Sequence, residues 1–175
     1  MNKYEKQNRL DLIRRYIDEN YQGKTEEHVK LKALRMSEEI CDAEAAPKFA
    51  YFGDKEFTID LTTKKTFSEK LLSLIDASGM TDAEVYKRAE VSRKVFSKIR
   101  TNRDYHPAKQ TAIAFAFALG LDLDQTDDLL ERAGYALSPC SKEDLVIRYF
   151  LEHDMHDLFD LNETLTDLKL APLTA

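Results

Sequence analysis

Two closely spaced helix-start signals constrain this chain more than any other feature. From Met80 to Asp104 it reads MTDAEVYKRAEVSRKVFSKIRTNRD. Thr81 and Glu84 have the T-x-x-E spacing of a capping box, so a helix is predicted from Asp82. Ala83, Val85, Tyr86 and Ala89 give that helix an apolar stripe. Glu90 and Val91 then form a turn, and Ser92 is a good N-cap because its hydroxyl accepts an amide hydrogen bond that the next helix leaves unmade. In the second helix, residues 92–101, Phe96 and Ile99 face one way with Val91 just before them. Arg93, Lys94, Ser97 and Lys98 fall on the opposite face.

Two helices joined by a turn of three to four residues make a helix-turn-helix, whose second helix can lie in a DNA major groove. The charge points the same way. Between Lys87 and Lys109 stand eight cations (Lys87, Arg88, Arg93, Lys94, Lys98, Arg100, Arg103, Lys109) against two anions (Glu90, Asp104), in a chain whose net charge is −6. A basic patch within an acidic protein is an electrostatic footprint for phosphate. The blander explanation is a solvated charged helix face.

The segments around this pair resemble the lambda-repressor/Cro-like (XRE-like) helix-turn-helix family over residues 66–133, roughly 70 of the 175 residues. TFSEKLLSLIDASGMT matches the family's first helix, EVSRKVFSKIR its turn and recognition helix, and AIAFAFALGLDLDQTDDLL its fourth and fifth helices. The resemblance implies a five-helix domain in which Arg93 and Lys94 read base edges. Lys98 would face the groove with Ser97 beside it, and Thr101, Asn102 and Arg103 would meet phosphates. Arg100 and Lys109 are assigned to phosphate with them. Two positions depart from the family pattern. Asp82 stands where the family often has Gln, and Glu90 stands in a turn that usually has Gly.

The expected architecture is mainly α. Residues 66–138 form the helix-turn-helix domain, flanked by an N-terminal region, 1–65, and a C-terminal helical extension, 139–175. In the central domain, Phe67, Leu71, Leu72, Leu74 and Ile75 mark the first helix and Gly79 its C-cap. Pro107 is expected in the first turn of a helix over 108–119, apolar on most sides and ended by Gly120. A further helix lies within Leu121–Ala133. Its acidic residues do not form a calcium loop, because a loop starting at Asp122 would need Gly where Asp127 stands and Glu where Ala133 stands. Carboxylates there suit the start of a helix.

Upstream, Leu10, Ile13 and Ile17 predict a helix over 3–21, and a second helix is expected at 26–45. Residues 48–61 take strand period at Phe57, Ile59 and Leu61. They are read either as a short hairpin turned at Gly53-Asp54 or as an extended linker that lays its aromatic residues on the neighbouring domain. Downstream, helices are expected at 141–152 and 156–167; Asn162 followed by Leu165, Leu168 and Leu170 suggests an apolar end that docks, while Pro172 with the last residues is expected to be disordered. This extension carries three cations against eight anions.

No apolar run approaches the roughly 18 residues a membrane span needs, and the N-terminus lacks a signal-peptide core. Cys41 and Cys140 lack metal or pair-motif spacing and are expected as free thiols in the cytoplasm. His153 and His156 are spaced as metal ligands can be, but nothing completes a set, and no phosphate loop, nucleophile elbow or dinucleotide fingerprint is present. No enzyme activity and no cofactor are expected.

The function expected is a sequence-specific DNA-binding transcriptional regulator, acting on double-stranded DNA as a homodimer. The alternative is an adaptor or antitoxin-like module that keeps the fold without strong DNA binding and meets a protein partner through the N-terminal region or the acidic extension.

Overall fold

The structure is a computed structural model and describes residues 3–23 and 65–173. The helix expected at 26–45, the hairpin or linker at 48–61 and Cys41 lie outside the described residues. Among those described there are eight helices and no strand: α1 (Lys3–Asn20), α2 (Phe67–Ser78), α3 (Asp82–Arg88), α4 (Arg93–Thr101), α5 (Lys109–Leu119), α6 (Leu123–Arg132), α7 (Lys142–Glu152) and α8 (Leu158–Asp167). All eight belong to one compact unit made of residues 1–22 and 65–175. No helix among the described residues is long and apolar enough to cross a membrane.

The helix boundaries follow local chemistry. Thr66 and Glu69 form a capping box at the start of α2, and Thr81 and Glu84 form one at the start of α3. Ser92, Asp122, Ser141 and Asp157 cap α4, α6, α7 and α8 through their side-chain oxygens. Each of these bonds satisfies an amide that the helix geometry would otherwise strand. Gly79 and Gly120 end α2 and α5 in the left-handed region, with φ of 71° and 64°. One start differs from expectation. The helix after the Tyr105–Pro107 break begins at Lys109 with Ala108 as N-cap, so Pro107 precedes it rather than occupying its first turn. The Pro107 carbonyl instead accepts a hydrogen bond from the Tyr135 hydroxyl at 3.1 Å.

The core is built on α5, in which every residue from Ala112 to Ala118 is buried. Its small alanines let α2, α3, α6 and α8 approach closely, while Phe115 and Phe117 fill the space between them. Side chains such as these contribute about 1.5–3 kcal/mol each on burial. The opening helix α1 lies on α7, placing Ile13 and Ile17 in the same core. Tyr16 packs edge-on to Tyr149 and donates to Glu152 at 2.9 Å. Burial, and then that hydrogen bond, push the Tyr16 hydroxyl up to about 12. Arg9 makes a two-pronged bond to Asp160 of α8, at 2.7 and 3.0 Å, and Lys6 reaches Glu163 and Asp167, both at 2.8 Å. Three of the extension's eight acids are thus met by cations of the first helix.

The chain end corrects one expectation. Leu173 packs partly buried against the core, and its N–H donates to Asn162 Oδ1 at 2.8 Å. An apolar residue held by a side-chain acceptor keeps this turn of chain in place despite Pro172.

A polar hub joins α2 to α6. Asp128 accepts from Lys70 Nζ at 2.7 Å and from Arg132 Nη2 at 2.8 Å, and Arg132 Nη1 donates to the Lys65 carbonyl at 2.6 Å. The Arg132 and Lys70 hydrogen bonds lower the Asp128 carboxyl to about 2. A depressed carboxyl stabilises the fold above its unfolded value near 4 and loses that contribution as pH falls through its folded value. Acid titration of stability is therefore expected to show a loss between about pH 4 and pH 2 that is absent in Asp128→Asn. Its size is about 1 kcal/mol after discounting for solvent screening of this partly exposed group. Urea unfolding midpoints at stepped pH measure it.

Candidate nucleic-acid interface

Helix α4 is anchored on one side and open on the other. Phe96 and Ile99 are buried, and the Phe96 ring lies 5.6 Å from Tyr86 of α3 and 6.0 Å from Phe115 of α5. The i, i+3 spacing of that pair turns the rest of the helix outward. Arg93, Lys94, Ser97, Lys98, Arg100 and Thr101 are all exposed, as are Asn102 and Arg103 just beyond.

The turn before α4 brings a backbone cost. Glu90 has φ of 55°, and Val91 N–H donates to the Tyr86 carbonyl at 2.9 Å across it. A residue with a Cβ in the left-handed region costs about 1 kcal/mol relative to glycine. Glu90→Gly is expected to raise the thermal unfolding midpoint by about 2–4 °C, the net of relieved strain and a more flexible unfolded chain. Circular dichroism melts give the comparison.

The nine nominated side chains divide by partner. Arg93, Lys94 and Lys98 form no ion pair among the described residues. Ser97 and Thr101 share a helix face, where the Thr101 hydroxyl donates to the Ser97 carbonyl at 2.8 Å. Asn102 Oδ1 accepts from the Asp104 amide at 3.1 Å, folding the chain back after the helix. Ser68 and Thr66 at the start of α2 donate to the Asn102 and Arg103 carbonyls at 3.1 and 2.9 Å, which fixes this segment beside α4.

The other three cations meet carboxylates of the fold. Arg100 pairs with Asp82 of α3, Arg103 Nε lies 2.8 Å from Glu69 of α2, and Lys109 Nζ lies 2.6 Å from Asp144 of α7. Glu69 is held below the ordinary carboxylate range, first by the Thr66 backbone N–H and also by Arg103. Of these three acids, Asp82 stood out in the sequence as a departure from the family pattern, while Glu69 and Asp144 did not. For Glu69 a signal was present, since Thr66-x-x-Glu69 has the same capping spacing as Thr81-x-x-Glu84.

The outer histidines serve local packing. His153 stacks on Tyr149 with ring centroids 4.1 Å apart, and the His156 ring meets Phe117 edge-on. No group of three or more His, Cys, Asp or Glu side chains among the described residues is placed to hold a metal ion.

No protein-family model, curated protein or solved structure matches this chain.

Proposed function

We propose that the chain is a sequence-specific DNA-binding transcriptional regulator of the helix-turn-helix kind, with α3 as the first helix of the motif and α4 as the helix that enters the major groove. The observation that carries this reading is the placement of Arg93 and Lys94. They occupy the first turn of α4, which holds no acidic residue. The positive end of the helix dipole disfavours cations there, so these two charges oppose folding by a few tenths of a kcal/mol each. The same helix end, with its free N–H groups, favours an approaching anion.

In this reading Arg93 and Lys94 reach base edges, arginine pairing best with guanine O6 and N7, and Lys98 extends the contact along the helix with Ser97. Thr101, Asn102, Arg103 and Arg100 hold backbone phosphate. Lys109, partly buried on Asp144, serves the fold more than the interface. A helix of nine residues reads only a few base pairs, so two copies on a two-fold site are the natural complement.

Binding of a labelled random-sequence duplex, followed by fluorescence anisotropy from low to moderate salt, tests the proposal. Affinity that falls steeply with salt supports it, because phosphate contacts release counterions. Absence of salt-dependent affinity at low ionic strength defeats it. The pairing of Arg100 and Arg103 with carboxylates favours a second reading, a protein-interaction module that keeps this fold without binding DNA. That reading requires a stable protein partner whose binding is unchanged by Arg93→Ala.

A further inference from the structure

The three ion-paired cations beside α4 are not equivalent. Arg100 and Asp82 are 56% and 37% exposed, and Arg103 and Glu69 are 60% and 37% exposed. Lys109 and Asp144 are 27% and 7% exposed. Ion pairs as open as the first two contribute little to stability and exchange partners readily in water. The third is enclosed, and opening it would leave a carboxylate out of solvent without its cation.

From this difference we infer that Asp82 and Glu69 are specificity-determining residues, which compete with the DNA backbone for Arg100 and Arg103 and so hold down sequence-independent binding. The inference rests on the DNA-binding reading above. A duplex reaching α4 offers phosphate to both guanidiniums. Each must leave its carboxylate, and each freed carboxylate then stands beside a phosphate of like charge. The favourable contact is offset twice, once by the pair lost and once by the repulsion gained. Arg93, Lys94 and Lys98 have no such competitor among the described residues, so contacts along the groove-facing side of α4 keep their full value.

The two acids hold the guanidiniums through different geometry. Asp82 lies in the first turn of α3, and Arg100 in the last turn of α4 donates to it, so the pair joins the helix ends remote from the connecting turn. Glu69 uses one oxygen in the α2 capping box with the Thr66 amide and the other, Oε1, on Arg103 Nε. Neutral replacements can therefore keep the local structure. Gln serves in a capping box as Glu does, and Asn keeps a polar side chain in the first turn of α3.

The test measures binding of a labelled random-sequence duplex to Asp82→Asn, Glu69→Gln and the double variant across a salt series, with circular dichroism confirming unchanged helix content. Each single variant is expected to bind about fivefold more tightly at low salt, with a salt slope steeper by about one. A remote neutralisation with the same charge change, Glu19→Gln on α1, is expected to give a much smaller gain, because α1 packs on α7 rather than on α4. The gain from Asp82→Asn is expected to shrink when Arg100 is alanine, since the competition is then gone and only the relief of like-charge repulsion remains.

No gain in either variant, an equal gain in Glu19→Gln, or a gain undiminished by Arg100→Ala would overturn the inference while wild-type binding left the DNA-binding reading intact. Failure of the wild type and every variant to bind duplex would remove both.

Discussion

Replacing Arg93 and Lys94 together by alanine is expected to lower affinity for a preferred duplex by about a hundredfold while leaving the fold as stable as before. Each side chain stands to lose about 1–3 kcal/mol of contact with base edges, and a hundredfold corresponds to about 2.7 kcal/mol. Stability is expected to hold because both side chains are exposed, neither has an ion pair among the described residues, and both sit at the helix end where cations are unfavourable. Alanine is also the better helix former. Anisotropy titrations paired with thermal melts separate the two effects. Arg93→Ala alone should also flatten the difference between preferred and random duplex, whereas Arg103→Ala should weaken both alike, since phosphate contacts carry no sequence information. A double variant that binds as well as wild type would move the interface off α4.

The second large effect concerns the fold that presents α4. Asp144 Oδ2 accepts from Lys109 Nζ at 2.6 Å and from the Ser138 amide at 2.8 Å, and its own N–H donates to the Ser141 hydroxyl at 3.1 Å. It thus ties α5, the buried centre of the unit, to the loop before α7. Asp144→Asn keeps the shape but removes the charge opposite a lysine that is itself largely enclosed. Removing one partner of a buried ion pair costs 3–5 kcal/mol, and the residual exposure of Lys109 reduces this to about 2–3 kcal/mol here. The unfolding midpoint is expected to drop by about 5–10 °C. Adding Lys109→Met should recover much of the loss, because the stranded cation is then gone. A midpoint within 1 °C of wild type would mean that water replaces the pair at no cost.

Both predictions depend on features that were unequally legible in the sequence. Helix starts were readable because they are local. Thr81-x-x-Glu84 and Ser92 are set by hydrogen bonds within one turn, and they fall where α3 and α4 begin. Gly79 and Gly120 were readable as stops because few other residues take a left-handed conformation cheaply. The exposed side of α4 followed from period alone, once Phe96 and Ile99 were assigned to the core.

What was hidden is tertiary. Arg100 meets Asp82 across 18 residues, and Lys109 meets Asp144 across 35. A count of cations between Lys87 and Lys109 cannot show which of them the fold has already neutralised. The docking of the chain end was legible in part: Asn162 with Leu165, Leu168 and Leu170 suggests an apolar end that packs, but that Asn162 itself holds the Leu173 amide past Pro172 emerges only after the chain turns back. Local chemistry thus marked where helices begin and end, and long-range pairing decided which charges remained available.

The most direct measurement is backbone-amide nuclear magnetic resonance of the isotopically labelled chain, titrated with an unlabelled duplex at low salt. If the outer side of α4 is the surface that meets nucleic acid, the largest shifts fall between Ser92 and Arg103, with smaller ones at the starts of α2 and α3 where Glu69 and Asp82 lie. A duplex that shifts amides elsewhere and leaves that stretch unmoved would contradict it.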